Sequence, residues 1–463
     1  MSLVQLLVDS VERHGARPAI TDLASGRTLD YASVLARAQA VADGLRRFGV
    51  APGQRVALVA ENTLAHVPAA FGILAGGARL VPIAPTLRPA ETAAVLTETD
   101  VNAMVRLRDD EPVFEWVDRD RPAVEGFAAT DAAFVRFTSG TTAEQKGVIL
   151  SHADVAARVV AADAVLKLGP EDRVLWTLSL AYHFAVTITG YLRAGAHVLL
   201  CHDTLPAALV DACVRERPTL LYGSPVQFER MAGARRRVRL DTVRTALSTT
   251  AALPERVAVD FQAAFDVPLG QAYGIIEAGL PCINTRDGGA PATSVGAPSP
   301  GYEIAIVGDD GSPVAAGAAG EVGVRGAGLF SGYYRPWQPL PTLLRRGWFM
   351  TGDVGTLDDA GRLTLRGRTK STIIVAGMKV FPEEVEAVLD RQPGVRASRV
   401  VGRVHPRLGE VPCAEIVPEP GTTPDPHRLG AACAEVLSSY KVPIEFRVVD
   451  AIPRTAGGKI RRA

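Results

Sequence analysis

A layered α/β protein with largely parallel sheets is the fold class that this sequence predicts, on two observations. Through the first half of the chain, helical stretches alternate with short apolar runs rich in β-formers, the pattern of parallel strands joined by crossover helices. From about Gly301 the texture changes to short strands and tight turns, and after about residue 370 alternation returns in a compact unit of about 95 residues.

The elements follow in order. In the opening stretch MSLVQLLVDSVERHGARP, Leu3, Leu6, Leu7 and Val11 share one helical face, which predicts a surface helix. Asp9 and Glu12 interrupt its apolar pattern and no basic region precedes it, so a signal peptide is not expected. Helices are predicted near 31–48, 64–75 and 89–97, with strands at 55–60 and 79–85 between them. Further strands are predicted at 197–201, 219–223 and 244–250. Segments 302–314, 321–326 and 355–367 read as antiparallel strands, because DDG and DDAG are hairpin turn signals. The last unit reads strand, helix at 382–390, strand, the turn-rich GTTPDP, helix at 427–438, strand and a Gly-rich basic tail. The division expected is 1–367 and 368–463.

Composition narrows the function. A length of 463 residues suggests roughly three domains, and 47% apolar against 22% charged residues places the chain among folded proteins. Fifty basic residues balance fifty acidic ones, so no polyanion-binding surface is indicated and nucleic acid is not an expected partner. The five cysteines, Cys201, Cys213, Cys282, Cys413 and Cys433, are scattered and never spaced CxxC, which suggests neither disulfides nor zinc and points to a reducing compartment. The best membrane candidate, 67–78, is broken by Pro68 and ends at Arg79, short of the roughly 20 residues a span needs. A cytoplasmic protein without membrane insertion is the expectation. Only six residues are lysine against 44 arginines, so a lysine is informative where a compact ammonium is needed.

Chemistry concentrates in RFTSGTTAEQKGVILSH, residues 136–152. Thr138, Ser139, Gly140, Thr141 and Thr142 precede Lys146 between two apolar runs, and hydroxyls, backbone amides and one ammonium on a loop suit a polyphosphate. It is not a Walker A motif, because Gln145 stands where that pattern has glycine and the loop leads into a strand.

The loop resembles the phosphate-binding signature of the AMP-forming acyl-CoA synthetases, peptide-synthetase adenylation domains and luciferases, with Ala143 and Gln145 as departures. Four further segments resemble that superfamily in its order. In GQAYGIIEAG the resemblance implies that Tyr273 packs on adenine and Glu277 helps hold magnesium, while Ile276 replaces a threonine whose hydroxyl is expected near the α-phosphate. In WFMTGDVG, Asp353 would take both ribose hydroxyls, as two acceptor oxygens suit a diol. GRTKSTIIVAGMKVFPEEVE implies Arg368 at the nucleotide and Lys370 as a hinge, and PRTAGGKIRR implies Lys459 as the catalytic lysine. Lys146, Lys370 and Lys459 are three of the six lysines.

The resemblance implies a large N-terminal region of two α/β subdomains plus a β-barrel-like part, then a small mobile α/β C-terminal domain. It implies ATP and Mg2+, a carboxylic acid converted to acyl-AMP, and a thiol acceptor. That acceptor is CoA or the phosphopantetheine of a carrier protein, reached past Gly377. His183 stands where acyl and aryl ligases carry a histidine that gates the carboxylate pocket; a buried structural histidine is the other reading. Its neighbours Phe184, Ala185 and Val186 offer no carboxylate for an α-amino group. In LSTTAALPE, Thr249 and Thr250 stand where the superfamily has small residues, and with Phe184 and Ile275 they predict a compact acid, unless the threonines turn into the sheet. Three functions stay open: acid:CoA ligase, a stand-alone adenylating enzyme loading a carrier protein or forming an amide, and a nucleotide-binding protein without turnover.

Overall fold

The computed structural model describes residues 2–137, 146–234, 237–308, 310–326, 328–376, 378–454 and 460–462. Four sheets organise them.

The first sheet has eight strands in the order Gly279–Asn284, Leu269–Ile275, Thr245–Ser248, Leu220–Gly223, Arg173–Trp176, His197–Leu200, Pro18–Asp22, Thr28–Asp30. Its interior pairs are all parallel and its two edges antiparallel. The second sheet repeats this plan: Ala132–Phe137, Arg79–Ile83, Arg55–Val59 and Ala103–Arg108 run parallel, and antiparallel strands close both sides. Parallel strands covered on both faces need continuous apolar runs, and both RVALV and HVLL are buried almost throughout. The third sheet, built on Tyr302–Val307, Gly320–Gly326 and Trp348–Leu357, is antiparallel. Its DDAG segment closes a hairpin, with Gly361 N–H donating to the Asp358 carbonyl and Asp358 N–H to that of Arg362. The fourth sheet is centred on Gly409–Pro418 and carries the helices Pro382–Leu389 and Pro426–Val436 with a core of its own.

The helix Leu3–His14 buries Leu3, Leu6, Leu7 and Ser10; Val11 is only half-buried, so the inner face is rotated slightly from the predicted one. Helices Tyr31–Phe48, His66–Ala75 and Pro89–Glu98 occupy the predicted segments. A large apolar core joins the first two sheets, where Phe184 lies edge-on to Phe71 with centroids 5.1 Å apart. All five cysteines are buried and unbridged. No described helix is long and apolar enough to cross a membrane.

Candidate active site

Open α/β sheets bind ligands beyond the carboxyl ends of their strands, because loops diverge there and backbone dipoles converge. In the first sheet those ends are Trp176, Gly223, Ser248 and Ile275. Trp176 and Tyr222 sit side by side on adjacent strands, stacked with centroids 5.9 Å apart and planes 7° from parallel. The His183 ring stands edge-on to both, at 5.4 Å and 6.2 Å. Burial and the charge of Arg136 pull its pKa down to about 3, so His183 is neutral at physiological pH. The Tyr222 hydroxyl meets the side chain of Thr249, which is only 4% exposed. Thr250 adopts φ +74°, a left-handed conformation that a β-branched residue enters only under strain, and its Oγ1 is buried without a hydrogen-bond partner.

Glu277 lies in the turn between Leu269–Ile275 and Gly279–Asn284. Arg158 fixes that turn: its guanidinium donates to the carbonyls of Ile276 at 2.8 Å, Glu277 at 2.7 Å and Gly328 at 2.6 Å. Gly279 makes the approach possible, since a Cβ there would lie 2.8 Å from Arg158 Cδ and its φ is +80°. The Tyr333 hydroxyl donates to Glu277 Oε1 at 3.1 Å, and Lys146 Nζ sits 4.7 Å from the centre of the Tyr333 ring. Burial raises the Glu277 pKa, opposed by the Tyr333 hydrogen bond and by Arg158 and Arg368.

Arg136, near the end of Ala132–Phe137, lies 5.6 Å from the centre of the Tyr182 ring. Its Nε is buried without a hydrogen-bond partner, and burial lowers its pKa to about 10.

A third group joins two sheets. The Tyr273 hydroxyl donates to Asp353 Oδ2 at 2.5 Å, and Arg368 Nε is 2.8 Å from Oδ1. Asp353 and Arg368 are cross-strand partners, which aligns the guanidinium with the carboxylate. Lys370 lies exposed in the short 3-10 turn Thr369–Ser371, and Thr369 Oγ1 donates to the Gly352 carbonyl.

The structure thus gathers Lys146, Glu277, Tyr273, Asp353 and Arg368 from the sequence reading. Ile275 is half-exposed at a strand end, while Phe184 is packed into the core between Phe71 and Phe134. Thr138, Ser139, Gly140, Thr141, Thr142, Gly377 and Lys459 lie outside the described residues. On both sides of Lys459 the chain is held to the C-terminal unit or to itself. Arg462 pairs with Glu383 at 3.0 Å and Glu386 at 2.5 Å, and Arg454 bridges Ile460. Sequence reasoning passed over Arg136, Tyr182, Tyr222 and Tyr333. Arg136 had a signal, a charge inside the apolar run AAFVRF, whereas the tyrosines had none.

Among the described residues no three His, Cys, Asp or Glu side chains cluster as a metal site. One half-buried carboxylate at 277 still fits magnesium, which keeps most of its waters and takes its other ligands from substrate phosphates.

The family model for AMP-binding enzyme matches residues 7–334, and that for AMP-binding enzyme C-terminal domain matches residues 384–459. The chain belongs to the AMP-binding enzyme family. It is an adenylate-forming enzyme that activates a carboxylate with ATP and passes the acyl group to a thiol. Feruloyl-CoA synthase of Amycolatopsis is 31% identical over 97% of this chain and 96% of its own length. Indoleacetate–CoA ligase of Aromatoleum aromaticum is 31% identical over 98% and 96%. The crystal structure of ATP-bound MatB from Rhodopseudomonas palustris superposes with a TM-score of 0.90 at 25% identity, covering 100% of this chain and 97% of that one.

Proposed function

We propose that this enzyme is an acid:CoA ligase for a compact aromatic or short to medium aliphatic acid, working in the cytoplasm through two half-reactions divided between residues 1–367 and a mobile unit, 368–463. The observation that supports the reading is the Tyr273–Asp353–Arg368 group near Glu277, whose side chains would offer a diol acceptor, an aromatic face and a cation-seeking carboxylate. Aromatic acids in the names of the feruloyl and indoleacetate relatives support the aromatic option.

In the first half-reaction a carboxylate oxygen of the acid attacks the α-phosphorus of ATP, and the bond to the β-phosphate oxygen breaks to release pyrophosphate. Two anions must meet, so catalysis is largely positioning and charge neutralisation. Tyr273 would pack on adenine, Asp353 would accept from the ribose hydroxyls and Arg368 would hold that carboxylate in place. Lys146 and the hydroxyls of 138–142 would hold the departing pyrophosphate, and Lys459 would bridge carboxylate and α-phosphate. Glu277 would hold magnesium, which offsets phosphate charge when bound. His183, neutral and wedged against Trp176 and Tyr222, would close the carboxylate pocket without adding charge.

In the second half-reaction the thiolate of CoA attacks the acyl carbon, and the acyl–phosphate bond breaks to release AMP. Lys370 would be the pivot that carries Lys459 away and brings Gly377 beside the pantetheine arm. One contact crossing between the two parts is compatible with such motion: Arg391–Glu255 at 2.6 Å is an exposed ion pair of the kind that contributes little.

Pyrophosphate exchange across a panel of acids tests the first half-reaction. Mass spectrometry of products with CoA, against a phosphopantetheinylated carrier or an amine, tests the acceptor. Acyl-CoA as the main product is expected; acyl-carrier or amide in its place overturns the choice of CoA.

A further inference from the structure

Two fully buried arginines, Arg55 and Arg158, and the half-buried Arg136 are treated differently by the fold. Arg55 donates to the carbonyls of Asp100 and Arg121, and Arg158 to those of Ile276, Glu277 and Gly328. Each makes three hydrogen bonds to backbone carbonyls, which offset much of the hydration a buried guanidinium loses. Arg136 differs. Among the described residues its guanidinium meets only the face of Tyr182, and its Nε is buried with no acceptor. A cation over one ring recovers only part of the hydration it loses.

Its position is informative. Arg136 stands two residues before Thr138 on the strand that feeds the phosphate-binding loop. Arg136 is the cross-strand partner of Val148 and Val148 that of Tyr333, so Arg136 stands on the sheet face from which the Tyr333 hydroxyl reaches Glu277. Next to Glu277 in the chain, Ile276 takes the place of the hydroxyl expected near the α-phosphate. Tyr182, His183 and Glu277 beside it are only half-buried, so this group of side chains borders solvent-reachable space. A planar fork of N–H donors suits phosphate oxygens better than an uncharged hydroxyl does.

We propose that Arg136 is a substrate-binding residue whose guanidinium holds the α-phosphate of ATP and acyl-AMP, supplying from the neighbouring strand the contact that Ile276 cannot make. This rests on the adenylate-forming reading, and it makes the nucleotide site of this chain arginine-dependent where the threonine-bearing pattern relies on a hydroxyl. Burial is the main cause of the lowered His183 pKa and the Arg136 charge adds to it, so loss of Arg136 also raises the pKa of that ring.

The test compares AMP with adenosine by isothermal titration calorimetry on the native chain, R136M and R136K. These ligands differ only by the α-phosphate and need no acid, whereas pyrophosphate exchange by the native enzyme tests the parent reading separately. Arg136→Met is expected to weaken AMP binding about 10- to 100-fold, the range of a charge-assisted hydrogen bond, with adenosine unchanged. Arg136→Lys, which keeps the charge without the fork, is expected to fall between the two; it also decides the matter if Arg136→Met fails to fold. Equal affinity of native and variant for AMP, an equal loss for AMP and adenosine, or a loss confined to the acid substrate overturns the assignment, as does a native enzyme that binds AMP no better than adenosine.

Discussion

The hydroxyl of Tyr273 donates to Asp353 Oδ2 at 2.5 Å, tying the last parallel strand of the first sheet to the middle of the third. With Arg368 on Oδ1, each oxygen of the carboxylate accepts one bond and keeps a lone pair for a diol. Tyr273→Phe keeps the ring for adenine and removes the bond that orients Asp353. Leaving a buried charged acceptor short of a donor costs about 1 to 3 kcal/mol, so KM for ATP should rise about 5- to 150-fold. The preference for ATP over 2′-deoxy-ATP should shrink in parallel; an unaltered preference would show that Asp353 does not read the ribose.

Glu277 has a pKa raised by burial and held down by the Tyr333 hydroxyl. A carboxyl with a raised pKa loses its charge earlier as pH falls, and magnesium needs the charged form. Pyrophosphate exchange should therefore decline on the acid side, and Tyr333→Phe should shift that limb to higher pH. Glu277→Gln should abolish most exchange at every pH. A limb that stays in place in Tyr333→Phe assigns it to another group.

The architecture was legible because it rests on local rules. The runs RVALV, HVLL and LLYG sit on parallel strands buried almost throughout, and the capped segment Tyr31–Phe48 ends on Gly49 in the left-handed conformation that only glycine enters freely. The site was legible where a motif carried its chemistry in sequence, as with Asp353 and Arg368, paired across neighbouring strands. It was illegible where partners come from afar. Tyr333 reaches Glu277 across 56 positions of chain, and Trp176 meets Tyr222 only because two strands lie side by side. Burial of Phe184 between Phe71 and Phe134 is likewise a property of packing.

The buried His66 and the half-buried His183 have pKa values pulled from 6.5 to about 4 and about 3, with desolvation the largest cause for each. Between those values and 6.5 the unfolded chain holds more protons than the folded one, so stability falls as pH drops through that window and is unaffected above it. Each neutral ring contributes a slope of up to about 1.4 kcal/mol per pH unit. The urea midpoint should fall clearly from pH 7 to pH 5, and the fall should be smaller in His66→Gln. An identical pH dependence in native and variant would rule out His66 as a source.

Lys459→Ala should lose adenylation by about two to three orders of magnitude, since one charge-assisted contact to a reacting oxygen is worth roughly 3 to 4 kcal/mol. Thioester formation from supplied acyl-AMP should survive, because the lysine has left the site by that step. Equal loss in both half-reactions would contradict rotation about Lys370. Gly377→Leu should do the reverse, sparing exchange and blocking the thiol.

The upper limit on substrate size should reside in Thr249 and Thr250. Thr249 is braced by the Tyr222 hydroxyl in the layer that Trp176 and His183 complete, so its methyl group has little freedom to withdraw. Thr250 is strained at φ +74°, and glycine there removes the strain while adding unfolded-state entropy; the two offset to within about 1 kcal/mol. Thr250→Gly should thus leave the melting temperature close to native. A fitted methylene gains roughly 0.8 kcal/mol, whereas a clashing one costs more, so kcat/KM should climb with chain length and then drop abruptly. Thr249→Gly should move that drop towards longer acids, because the volume released lies where the braced side chain stood. The measurement is kcat/KM across linear and aromatic acids for the native enzyme and both variants. Palmitate turned over by the native enzyme as well as a short or aromatic acid would mean that these threonines face into the sheet and set no limit.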